Sequence, residues 1–184
     1  MDGYPDHLSP GTDETKVSFE EWWASASSHY LNVPDNVAKH WVHEHWGYSP
    51  YGHLPSQPYG FVCEQWDSAK IWEIQSRWNN FKPDNEQCAE HGRHLASLVK
   101  PPFEYRTAIF MLEHRTFPSP IIVLDNRDGH MDRPDLYHRT DVLPTGYVLI
   151  EGHRRFNLAL HLHRAHHICP TLPVWLMKLR EPAT

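Results

Sequence analysis

Tyr147-Val-Leu-Ile-Glu-Gly-His-Arg-Arg-Phe-Asn-Leu-Ala-Leu-His-Leu162 changes its period halfway through. Tyr147 to Ile150 is a run of aromatic, β-branched and aliphatic residues, which predicts a strand. Phe156, Ala159, Leu160 and His163 then fall at i, i+3, i+4 and i+7, the spacing of one helical face. Gly152 stands at the junction, where a strand turning sharply into a helix needs a residue tolerant of unusual φ/ψ. His153, Arg154 and Arg155 fall in the first helical turn. Free N–H groups and the positive end of the helix dipole make that turn an anion site. Cations there oppose the dipole, so two arginines point to a bound anion such as phosphate.

The flanks give two further elements. Phe103 to Thr116 reads as a helix, with Tyr105, Ala108, Ile109 and Leu112 as its apolar stripe. Pro118-Ser-Pro-Ile-Ile-Val-Leu-Asp125 follows as a strand, and Leu172-Pro-Val-Trp-Leu-Met177 as another. The order of strand, Gly, any residue, Arg-Arg, aromatic, and Ala three residues later resembles the phosphate-binding motif of the ParB/sulfiredoxin superfamily. The helix, the Pro-led strand and the closing strand are similar to that family's flanking elements. The resemblance spans about residues 100–180.

The resemblance implies an α+β fold, a small mixed sheet with flanking helices; the sequence adds to it a Trp-rich, mainly helical N-terminal part. The resemblance also implies a nucleotide (ATP or CTP) with Mg²⁺, and phosphate contacts from Gly152, His153, Arg154 and Arg155. Glu151, His153 and Asp125 are the candidate catalytic residues, with Glu151 or Asp125 as the carboxylate for Mg²⁺ and His153 as acid, base or phosphate contact. The competing reading of Glu151 is an ion pair with Arg154 or Arg155. No residues are assigned as a resident metal site. His153 stands where sulfiredoxins carry their catalytic Cys, so sulfiredoxin chemistry is not expected. Partition ParB proteins commonly have Glu there, followed by a helix-turn-helix domain. This chain ends at Thr184, and a partition role is not expected. Glu151 matches the acidic residue of free-serine-kinase-like members, whose base lies elsewhere; Glu73 and Glu113 are its candidates here. Small stand-alone members also include plasmid-encoded proteins with ATPase and DNase activity.

The expected function is thus nucleotide binding with hydrolysis or transfer of phosphate. The alternatives are a ParB-like DNA-binding or nuclease protein, and a nucleotide-dependent interaction module without turnover. A DNA binder would use Arg154, Arg155, His163, Arg164 and His167 as a phosphate-tracking patch. The net charge of -6 argues against a protein that coats nucleic acid broadly.

Three domains are expected: a flexible or loosely docked tail at 1–17, a Trp-rich helical subdomain at 18–100 and a nucleotide-binding core at 101–184. Ser18-Phe-Glu-Glu21 has capping-box spacing before a helix through Trp22, Trp23 and Ala26. A second helix is expected over Pro34–Trp46, with Gly47 as its stop. Residues 47–60 are turn-rich, Phe61-Val-Cys63 starts a strand, and Ser68–Trp78 is ambiguous between helix and strand. Cys88–Val99 reads as a helix, and Pro101-Pro102 marks the boundary that follows. Seven of the eight Trp lie between residues 22 and 78. They read either as a core covering the sheet or as a base-stacking or protein-partner surface.

Residues 125–146 are a long polar connection whose ends are expected near the phosphate site. Asp128, Asp132 and Asp135 there are either metal carboxylates or parts of a solvated loop with Asx turns. His163 and His167 have chelating spacing, although a basic helix end favoured by the dipole explains them more simply. Cys63, Cys88 and Cys169 lack CxxC spacing, which points to a reducing, cytoplasmic protein. There is no signal peptide in the acidic N-terminus and no apolar run long enough to span a membrane.

Overall fold

The computed structural model describes residues 6–12, 14–46, 49, 59–131 and 143–180. The architecture is mixed α+β: a five-stranded mixed sheet with helices on both faces. The strands are β1 (Tyr59–Asp67), β2 (Ile74–Gln75), β3 (Ile121–Asn126), β4 (Gly146–Glu151) and β5 (Thr171–Leu179), in the order β1-β5-β3-β4-β2. β1 runs antiparallel to β5, and β3 antiparallel to β4. β3–β5 and β2–β4 are parallel.

β3 and β4 are near-continuous apolar runs because both of their faces are covered. Ile121, Val123, Tyr147 and Leu149 point to one face, where α3 (Glu86–Ser97), α4 (Arg106–His114) and α5 (His153–Arg164) pack. Ile122, Leu124, Val148 and Ile150 point to the other. There α1 (Phe19–Ala26) and α2 (Asp35–Val37) bring Trp22, Tyr30 and Trp41 against the sheet, with α2 continuing as a π-helix over Ala38–His43. The tryptophans of α1 and the π-helix thus cover the sheet's second face. Among the described residues no helix is long and apolar enough to cross a membrane.

Several local expectations are met. Ser18 caps α1, its Oγ accepting from the Glu21 N–H at 3.2 Å. The helix expected over 103–116 is α4, and the strand expected after Pro118 is β3. Residues 68–78 resolve into a 3₁₀ turn (Ser68–Glu73), the two residues of β2 and a second 3₁₀ turn starting at Arg77. Gly47 and most of 47–60 lie outside the described residues.

Two expected boundaries do not coincide with the packing. β1, β2 and α3 precede Pro101 yet share one sheet and one core with β3, β4, β5, α4 and α5. The physical reason is pairing: all nine residues of β1 are in register with β5, so its partner lies more than a hundred residues downstream. The described part of the expected tail is docked. Leu8 and Val17 pack on the aromatic face, and Trp22 Nε1 donates to the Leu8 carbonyl at 2.7 Å.

Candidate functional site

β4 ends at Glu151, Gly152 turns the chain, and α5 begins at His153. Gly152 has φ 94° and ψ 28°, in the left-handed region. A Cβ there would lie 2.7 Å from Ile121 Cγ2 and 3.1 Å from Arg155 Nη2, so space and backbone both require glycine. Among the described residues no side chain caps α5. The N–H groups of its first turn are therefore available to a ligand at the end of the sheet.

A cavity of about 730 Å³ opens at this point. The motif supplies one wall, Ile150 to Arg155. His40 of the π-helix and Glu44, His45 and Ser49 beyond it supply a second. Arg77 and Trp78 come from the 3₁₀ turn after β2, Tyr105 and Thr107 from the start of α4, and Pro118 and Ser119 from the approach to β3. Three arginines face two glutamates, so the lining has a formal charge of +1 with its histidines neutral. The chain as a whole carries -6. A positive, partly enclosed site on a negative protein selects anions.

The adjacent arginines have different jobs. Arg155 is 13% exposed, donates from Nη1 to the Ser119 carbonyl at 3.0 Å and to Ser119 Oγ, and lies 3.8 Å from Glu151. Burial lowers its pKa and Glu151 opposes that shift. Arg155 is thus a clamp between the start of β3 and the end of β4. Arg154, one residue and about 100° further round the helix, is exposed and has no ion-pair partner among the described residues. The contact with Arg155 is one of the two pairings expected for Glu151, which also lies 3.4 Å from His45.

The His153 ring stacks on Trp78, with centroids 5.2 Å apart and planes 24° apart. Its Nε2 is buried without a hydrogen-bond partner among the described residues. Burial, reinforced by Arg77, His45 and Arg155, pushes its pKa down to about 3. The imidazole is therefore neutral at physiological pH, and it serves as a fixed polar group better than as a proton reservoir.

Asp125 does not belong to this site. β3 and β4 are antiparallel neighbours, with Ile122 beside Glu151 and Asp125 beside Tyr147. Asp125 therefore sits at the opposite end of the hairpin from Gly152. There Asp125 accepts two bonds from Arg127, from Nε and Nη2, each at 2.8 Å, and Asp128 holds His130. Asp132 and Asp135 lie outside the described residues. Glu73 and Glu113 do not line the cavity either.

The broader basic patch is also spent. Arg164 pairs with Glu86 and lies over the Trp72 ring, and His163 Nδ1 accepts from Trp72 Nε1 at 3.0 Å. His167 Nε2 meets the Leu112 carbonyl at 2.9 Å, so His163 and His167 do not chelate together. Among the described residues no three His, Cys, Asp or Glu side chains converge on a metal position. Among the described residues the cavity lining holds two carboxylates, Glu151 and Glu44, the second 3.7 Å from His40.

His40, Glu44, His45, Ser49, Arg77, Trp78 and Ser119 carry no local signal for the cavity; only the folded chain brings them there. The chain matches no protein-family model, no curated protein and no solved structure.

Proposed function

We propose that the protein binds a nucleotide, ATP or CTP, with its phosphates against the N-terminus of α5. The observation that carries this reading is the uncapped first turn of α5 opening into a net-positive cavity, with Arg154 unpaired among the described residues. The cavity volume falls within the roughly 300–1,000 Å³ of small-molecule sites. The similarity of Gly152 to Arg155 to the ParB/sulfiredoxin phosphate motif supports the same reading. Arg154 and the backbone N–H groups neutralise the phosphates, and Arg155 keeps the Gly152 turn in place. The commitments of Glu151 and the neutrality of His153 favour binding over turnover. The spent patch on α5 disfavours DNA.

The test is a thermal-shift titration with ATP, ADP, CTP and GTP, with and without Mg²⁺, on wild type and Arg154→Ala. A shift with one or more nucleotides, lost in Arg154→Ala, is expected. No shift with any of them would remove the nucleotide reading. Phosphate release that disappears in Glu151→Gln would make the protein an enzyme.

A further inference from the structure

On the nucleotide reading the phosphates meet the start of α5; next to it the cavity carries an aromatic surface, Trp78, stacked on His153. Trp78 lines the cavity and is 44% exposed, in a fold that buries Trp22, Trp41 and Trp66 almost completely. A half-exposed indole at a cavity offers apolar ring surface that a ligand ring can cover. Trp78 is also held rigidly. Its backbone N–H donates to Ser76 Oγ at 3.2 Å, and its ring stacks against His91 (5.4 Å, 28°) and His153 (5.2 Å, 24°). The neighbouring Asn79 side chain donates to the Asp84 carbonyl at 2.9 Å and to Asn85 Oδ1 at 3.1 Å, fixing the turn that carries Trp78. The platform is ordered before any ligand arrives, so little entropy is lost on stacking.

We infer that Trp78 is the stacking platform for the ligand's heterocyclic ring, so that the cavity selects nucleotides over ring-free polyphosphates. This rests on the nucleotide reading above. His153 links the two halves: its ring supports Trp78, and its backbone begins the helix that meets the phosphates.

The test compares the tightest-binding nucleotide of the panel with inorganic tripolyphosphate, by calorimetry, on wild type, Trp78→Leu and Trp78→Phe. Wild type should bind the nucleotide at least about tenfold more tightly, the scale of one base–aromatic stack. Trp78→Leu should weaken the nucleotide to the tripolyphosphate level and leave tripolyphosphate unchanged; Trp78→Phe should retain most of the preference. Equal wild-type affinities would overturn the inference while leaving phosphate binding intact. So would an equal loss of both ligands in Trp78→Leu, which would mark Trp78 as support for His153 alone. If wild type binds neither compound, the nucleotide reading falls and this inference with it.

Discussion

The two ends of the β3–β4 hairpin carry similar residues in opposite states. At the Asp125 end, the two described acids each have a nearby base: Arg127 on Asp125, His130 on Asp128. The small depression there, about 440 Å³, is wide open to solvent-exposed partners such as Arg127. At the Gly152 end, Arg155 and His45 satisfy Glu151, and Arg154 and the α5 dipole are left over. The difference is one of surplus: the first end pairs its charges within the fold, and the second leaves Arg154 over for the proposed ligand. The number of charged residues at a site does not by itself mark it.

The largest effect should come from the two glycines that bound β4. Gly152→Ala would meet the fully buried Ile121 in a left-handed backbone and should cost about 2–4 kcal/mol. Gly146→Ala is also strained, at φ 131°, but its closest contact is the movable end of Gln75, so about 1–2 kcal/mol is expected. Equal losses in urea denaturation would break the contrast.

Next come the arginines. Arg155→Met leaves a carboxylate only 16% exposed short of a partner and should cost about 2–3 kcal/mol. Arg127→Met removes a guanidinium that is 61% exposed and should cost less than about 1 kcal/mol. Denaturant midpoints of both variants, compared with wild type, check the ranking.

The two ends should also answer to different pH windows. Folding lowers the pKa of His153 from 6.5 to about 3, so the unfolded chain binds the extra proton between those values. Stability is therefore full above pH 6.5 and falls as pH drops toward 3, by up to about 1.4 kcal/mol per pH unit. The bonds from Arg127 hold Asp125 below its ordinary 3.8, so that end loses stability only at lower pH. Stability measured from pH 7 to 4 should flatten in His153→Gln and stay steep in Asp125→Asn.

The smallest stability change belongs to Arg154→Ala, within about 0.5 kcal/mol because the residue is exposed. A loss above 1 kcal/mol in the same denaturation assay would show that Arg154 is holding the fold together, and the surplus-charge argument would fail.

What the sequence made legible was local. The change of period across Gly152 exposes the strand, the turn and α5 without knowledge of any neighbour. The arginine pair was legible as a site but not in its division of labour. That division depends on Ser119, which arrives from 36 positions away to accept from Arg155. Asp125 was misplaced because strand direction alone does not say which strand lies beside it, and the antiparallel partner reversed its position. β1 was glimpsed only at Phe61–Cys63, because an edge strand with exposed Cys63 and half-covered neighbours lacks a clean alternation. His40, Glu44, His45, Ser49, Arg77 and Trp78 share no spacing that marks them as cavity walls; tertiary packing brings them together.

The ladder between β1 and β5 has a consequence for how the chain is made. Residues 59–67 find their partners only when 171–179 have left the ribosome. Until then β1 is an unpaired strand, and α1 and the π-helix lack Met177 from the surface they cover. Synthesis thus leaves the aromatic layer waiting on the last strand, the kind of long-range closure that folds slowly and invites chaperones.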